Sequence, residues 1–218
     1  MAEPDQNLEP AGEPDAEVAA EPERELDDEA RRRRSEAFAQ IVTFGNPALK
    51  SRASDVTEFG PALEAEAERM IGLMHDAIGV GLAAPQLGAL RRILVFQSGP
   101  DARPEALVNP EFEWLSDETE LGLEGCLSLP RIAVDVERSL HAVVRAQDVA
   151  GEPLLIEASG FEARVLQHEI DHVNGVLMLD RSPRSQRRAA LRALREGTAY
   201  HPDPEVEAEL DEPEREPA

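Results

Sequence analysis

The chain has 218 residues, 45 Asp or Glu against 22 Lys or Arg, a formal net charge of −23 and a single cysteine. That length suits one domain of ordinary size with tails, and one cysteine excludes an internal disulfide framework and favours a reducing compartment. No run of 18 apolar residues is present, and the start of the chain is too acidic for a transit peptide and lacks the basic-then-apolar order of a signal peptide, so a cytoplasmic location without a membrane partner is expected.

In chain order, the first 30 residues hold 12 acidic residues and one Arg, with almost no large apolar side chain. Such a segment cannot bury enough apolar surface to offset its ordering entropy, so residues 1–36 are expected to form a disordered acidic tail. Arg31 to Arg34 mark its end and read as a solvated linker, too short a basic run to imply DNA binding. Folded structure is expected from about Ile41 within a catalytic domain spanning 37–198. Residues 61–78 read as a helix, with Leu63, Ala67, Met70, Ile71, Met74 and Ile78 on one stripe and Pro61 near its start. Gly79 to Gln86 reads as a loop. Ile93 to Phe96 reads as a buried strand, and Ala106–Val108 and Glu111–Leu115 as two strands flanking Asn109-Pro110. Ile132–Val136 is a strand candidate. Ala142–Gln147 and Leu154–Glu157 form a predicted hairpin around Gly151. Phe161–Val173 is a predicted helix stopped by Asn174-Gly175, and Ser185–Glu196 a last helix ended by Gly197. Residues 199–218 read as a second disordered acidic tail. Strands cluster before the later helices instead of alternating with them. This predicts an α+β fold, with antiparallel sheets packed around a buried metal-binding helix.

The chemistry is concentrated on that helix. His168 and His172 stand four residues apart, one turn apart on one face, so both imidazoles can reach a single ion. Glu169 beside them completes the pattern H-E-x-x-H, whose glutamate can reach a metal-bound water. Phe161 and Val165 share the histidine face while Leu166, Ile170 and Val173 form a second apolar stripe, which predicts burial. Buried histidines and a buried glutamate need partners, and a divalent cation supplies them. A catalytic site wants a third protein ligand. The extended pattern ending in a third histidine is excluded, because Met178 stands where it would fall. Glu196 is a formal candidate on an Arg-rich helix, and Cys126, in Glu124-Gly125-Cys126-Leu127-Ser128, is the other.

Three separated motifs carry a resemblance: Gly79-Val80-Gly81-Leu82-Ala83-Ala84-Pro85-Gln86, then Glu124-Gly125-Cys126-Leu127-Ser128, then Gln167-His168-Glu169-Ile170-Asp171-His172 followed by Asn174-Gly175. Over roughly residues 40–182 the chain resembles the peptide deformylase family, which removes the formyl group from the N-terminal methionine of new polypeptides. The resemblance implies Cys126, His168 and His172 as metal ligands, Glu169 as general base and acid, and the Gln86 side chain with the Leu127 backbone N–H as holders of the formyl oxygen. It implies Fe(II) as the metal, with Zn(II) or Ni(II) as substitutes. Neither tail belongs to the family pattern.

Around this centre, Val80 and Val165 are candidate walls of a slot for the methionine side chain. Gly81, with Gly79, could pair its backbone with an extended N-formylmethionyl peptide. Gly125 is assigned to the same substrate-binding surface, as a position allowing close backbone approach. Asp171 and Glu124 are expected to support the ligands. The basic helix near 184–196 is a candidate ribosome contact through phosphate groups, or a face paired with the acidic tail. The competing functional readings are another metallo-amidase or peptidase on the same ligands, and a non-catalytic protein that binds nascent chains or ribosomes.

Overall fold

A computed structural model describes residues 26–99 and 102–202. Helix α1 (Asp28–Phe38) opens on Asp27, whose carboxylate accepts from the Ala30 N–H at 2.7 Å, with Asp28 and Glu29 in its first turn. Ion pairs Arg31–Asp28 and Arg33–Glu29 run along it, and Arg33 reaches Asp76 on helix α2 (Pro61–Asp76). Ala37 is buried and Phe38 half-buried against α2's apolar face. The expected tail over 1–36 is therefore wrong for residues 28–36: a cap, paired charges and one docked turn suffice where composition suggested only solvation. Its residues 1–25 lie outside the described part, as do residues 203–218 of the second tail.

The main sheet is antiparallel and five-stranded, in the order β1 (Gly81–Ala83), β2 (Ile93–Phe96), β3 (Glu105–Leu115), β6 (His141–Gln147), β7 (Pro153–Ser159). A separate antiparallel pair joins β4 (Thr119–Cys126) to β5 (Leu129–Ser139). The expected mixture of helices and antiparallel sheets is observed. Strand β2 is apolar without alternation because both its faces are covered. Ile93 and Val95 enter one cluster with Met70 and Met74 of α2, while Leu94 and Phe96 enter another with Leu166, Ile170 and Val173 of helix α3 (Gly160–Val173). A third cluster lies where helices α4 (Met178–Arg181) and α5 (Arg184–Glu196) cover β5 with Leu177, Met178, Ala190 and Ala193.

Two strand expectations change. The segments on either side of Asn109-Pro110 are one strand, β3, whose register slips between Val108 and Glu111. Asn109 takes φ of 51° at this bulge, and its side chain bonds the Val56 backbone through both donor and acceptor, at 2.9 and 2.8 Å, which holds the strand together across the proline. Strand β5 runs well beyond Ile132–Val136, and its partner β4 was not foreseen. Ile78, expected on the buried stripe of α2, lies past its end with φ of 59° and is exposed.

Arg92 is buried and ties the fold's parts together. Its guanidinium donates to Pro110 O at 2.7 Å in the bulge and to Asn174 Oδ1 at 2.8 Å, just past the end of α3. A cation there also complements the carbonyl end of the helix. Beyond α5, Tyr200 pairs with the outer edge of β5: its N–H donates to Arg131 O and its carbonyl accepts from the Ala133 N–H. The folded part thus extends past the expected boundary at 198.

Candidate metal centre and active site

Helix α3 forms because its interior faces are apolar on both flanks, and it is buried from Ala163 to Val173 except at His168, which is half-buried. Phe161 departs from the expected burial, being 54% exposed at the first turn. One turn apart, His168 and His172 meet edge to face with ring centroids 4.9 Å apart. Cys126 comes from the end of β4, at the two-residue turn into β5, and places its Sγ 3.3 Å from His172 Nε2. The thiol and the two imidazoles present ligand atoms that all lie within 4.8 Å of one another. Glu196 sits at the exposed end of α5 and is not among them.

The far side of His168 is held by charge, whereas His172 Nδ1 is buried without a hydrogen-bond partner among the described residues. His168 Nδ1 meets Glu124 Oε2 at 2.9 Å, which leaves its Nε2 toward the centre. Glu124 is bound by Arg138 through a bidentate pair at 2.8 and 2.9 Å and by Arg164 at 3.1 Å. Arg138 also donates to Asp171 at 2.6 Å, and Asp171 takes two further bonds from Arg181. Burial alone would raise the Glu124 carboxyl, but hydrogen bonds from Arg138 and His168 overcome it and hold the group at about 2. Burial and the neighbouring His168 push His172 well below the ordinary imidazole range, toward the neutral form in which an imidazole can bind a metal. Arg138 and Arg164 were not singled out from the sequence in this role. An arginine in a strand or a helix ordinarily reads as solvated, and only the third dimension shows both meeting one carboxylate.

Glu169 is buried, and among the described residues none of the hydrogen bonds of this lattice reaches it. Burial pushes its carboxyl up to about 7, and its Oε2 has no hydrogen-bond partner among the described residues. Its carboxylate lies against the backbone of β1. A Cβ placed on Gly81 would sit 2.7 Å from Glu169 Cδ, so a larger residue there forces the carboxylate to shift. Gly122 does the same for Arg164, whose Nη2 would meet an added Cβ at 2.7 Å. Gly125, by contrast, is exposed, and an added Cβ would find its nearest protein neighbour at 3.9 Å, so no part of the fold itself requires glycine there. Gln86 lies in the 3₁₀ turn Ala84–Leu87 after β1. Its Oε1 accepts from the Ala83 N–H at 2.8 Å, which turns its Nε2 toward Cys126 Sγ at 3.6 Å and Ser128 Oγ at 3.4 Å. Leu127 follows Cys126 in the turn. Val80 is exposed beside β1, whereas Val165 is 5% exposed in the core with Leu94 and Phe96, so the two are not alike as slot walls.

Two imidazoles and one thiol gathered around a single point, with a buried carboxylate beside them, define a metal-capable hydrolase centre in a mixed helix and antiparallel-sheet domain. A family model described as polypeptide deformylase matches residues 38–188. A peptide deformylase of Thermotoga neapolitana is 49% identical over 142 residues, covering 65% of this chain and 85% of the relative. One from Acidothermus cellulolyticus is 43% identical over 160 residues, covering 73% and 87%. The crystal structure of peptide deformylase from Thermotoga maritima superposes with a TM-score of 0.64 at 47% identity, covering 66% of this chain and 96% of that one. A peptide deformylase from Synechococcus elongatus in complex with actinonin gives 0.68 at 36% identity, covering 73% and 88%. The chain belongs to the peptide deformylase family. It is a hydrolase that removes the N-formyl group from new polypeptides. The amidase, peptidase and non-catalytic readings of the sequence fall away.

Proposed function

We propose that Cys126, His168 and His172 hold the catalytic cation, that Glu169 carries the proton, and that Gln86 with the Leu127 N–H receives the formyl oxygen. The observation that carries this reading is the convergence of one thiol and two imidazoles beside a buried Glu169 carboxylate oxygen that has no hydrogen-bond partner among the described residues. A thiolate with two imidazoles suits a divalent transition ion, and Fe(II) is the assignment, with Zn(II) or Ni(II) able to substitute. When bound, such an ion acidifies a water and polarises the formyl carbonyl. Glu169 accepts the water's proton as the oxygen attacks the formyl carbon. It then delivers that proton to the amine nitrogen as the C–N bond breaks, and formate leaves. The Gln86 amide, fixed by Ala83, keeps an N–H directed into the site; a donor of this kind typically contributes about 10²–10³ in rate.

Substrate recognition rests on β1, which is an edge strand with one side unpaired in the sheet. An extended peptide can add along that edge by main-chain bonds, tolerating varied sequence after the methionine. Val80 beside that edge is the better placed of the two slot candidates, and the exposed Gly125 leaves room next to Cys126. No helix among the described residues is long and apolar enough to cross a membrane; we place the reaction in the cytoplasm, where its substrates are made. The exposed arginines of α5 favour a contact with ribosomal phosphate. The catalytic assignment is tested by Glu169→Gln, assayed for formate release and for bound metal. Metal should stay while the rate falls by about 10²–10⁴. A variant that keeps both would refute the role given to Glu169.

A further inference from the structure

Helix α5 is bound to the fold by one side only. Gln186, Ala190 and Ala193 are buried against β5, while Arg184, Arg188, Arg192 and Arg195 are exposed. At 100° per residue those four fall within an arc of about 80°, forming one stripe about 16 Å long. Asp180 pairs with Arg187, but among the described residues no carboxylate pairs with the four of the stripe.

Residues 203–218 begin immediately after this region. Asp203, Glu205, Glu207, Glu209 and Asp211 recur at every second position, with Pro204, Val206, Ala208 and Leu210 between them. On an extended chain this alternation puts all five carboxylates on one side, about 6.7 Å apart. Arginines four residues apart on a helix are separated by a rise of about 6 Å, so the two rows match in sign and in spacing. The attachment point is close, since Pro202 follows the helix end at Glu196 by six residues, at most about 20 Å of chain. Continuing along β5 beyond Tyr200 is blocked. The next inward backbone donor, the Asp135 N–H, is already taken by Gln186 Oε1 at 2.7 Å, and Pro202 and Pro204 carry no N–H.

We infer that residues 203–211 dock in extended form on the arginine stripe of α5, so that the chain carries its own anionic ligand for this basic surface. Each exposed ion pair is weak alone. Four on a short tether act together, because the tether holds the partner at an effective concentration of about millimolar. Any external polyanion that uses this helix must then displace the segment. The contact is independent of the catalytic assignment.

The test uses the full chain with p-benzoylphenylalanine in place of Glu207, irradiated and mapped by mass spectrometry. Cross-links should fall on residues 184–195 and drop at least about tenfold when salt is raised from about 0.05 to about 0.5 M. R188E with R192E should abolish them, and adding D203K, E205K and E209K to that pair should restore them. Formate release from a free formyl-methionyl peptide, which involves no ribosome contact, should stay at the parent value throughout, which reports an intact fold. Cross-links on Arg31–Arg34 or elsewhere would overturn the inference. So would cross-links formed only between differently labelled copies, or failure of the charge swap to restore the contact.

Discussion

Arg138→Met removes the hub of the buried charge lattice while preserving much of its volume. The side chain is 3% exposed and supplies two bonds to Glu124 and one to Asp171. Breaking a buried pair by deleting one partner typically costs about 3–5 kcal/mol, because the remaining charge stays desolvated. Here Glu124 retains Arg164 and His168, and Asp171 retains Arg181, so the lower end applies, at about 3 kcal/mol. For a domain of this size that corresponds to a fall in Tm of about 10 °C. Urea unfolding of the metal-loaded protein at fixed metal concentration measures it, with an unchanged slope confirming that stability alone has moved. Arg138→Lys keeps the charge but loses the fork, and should fall between the two. A loss below about 1 kcal/mol for Arg138→Met would show that the lattice does not stabilise the fold, and would refute the reasoning.

Gly81→Ala should displace the Glu169 carboxylate and lower kcat by about 10²-fold with metal retained, since an ångström of misplacement costs that much; unchanged kcat with a normal metal content would contradict the packing argument. Cys126→Ala should lose most bound metal by elemental analysis, and full retention would remove Cys126 from the ligand set. Glu124 is held at about 2 against an ordinary 4.5, so its stabilisation is complete above about pH 4.5 and is lost as pH falls toward 2. That gap is worth about 3 kcal/mol, and a pH series of unfolding curves should show a correspondingly shallower acid slope in Glu124→Gln. Equal slopes would count against it.

Much of the site could be read from the chain because it follows from local geometry. His168 and His172 are neighbours by helical spacing alone, and Ala142–Gln147 with Leu154–Glu157 is a hairpin by its own alternation and turn. Cys126 lies 42 residues before His168, so no local rule joins them, and only the family pattern did. Strand β4 was missed because its alternation misleads: Leu121 and Leu123 are the apolar set, yet they are 64% and 42% exposed, while Glu124 turns inward to the arginines. Proline at 110 argued for two strands, and the bulge that accommodates it depends on Asn109 reaching Val56, a contact across 53 residues. Helix α1 failed the test of composition because its support is paired charge and one buried turn.

The lattice around Glu124 joins the β4–β5 hairpin to α3 through fixed charges, independently of anything placed between the ligands. The position of Cys126 relative to His168 and His172 therefore depends on Arg138 and Arg164, although neither arginine offers an atom to that group. A substitution at either arginine would loosen the thiol from the imidazoles without touching any of the three.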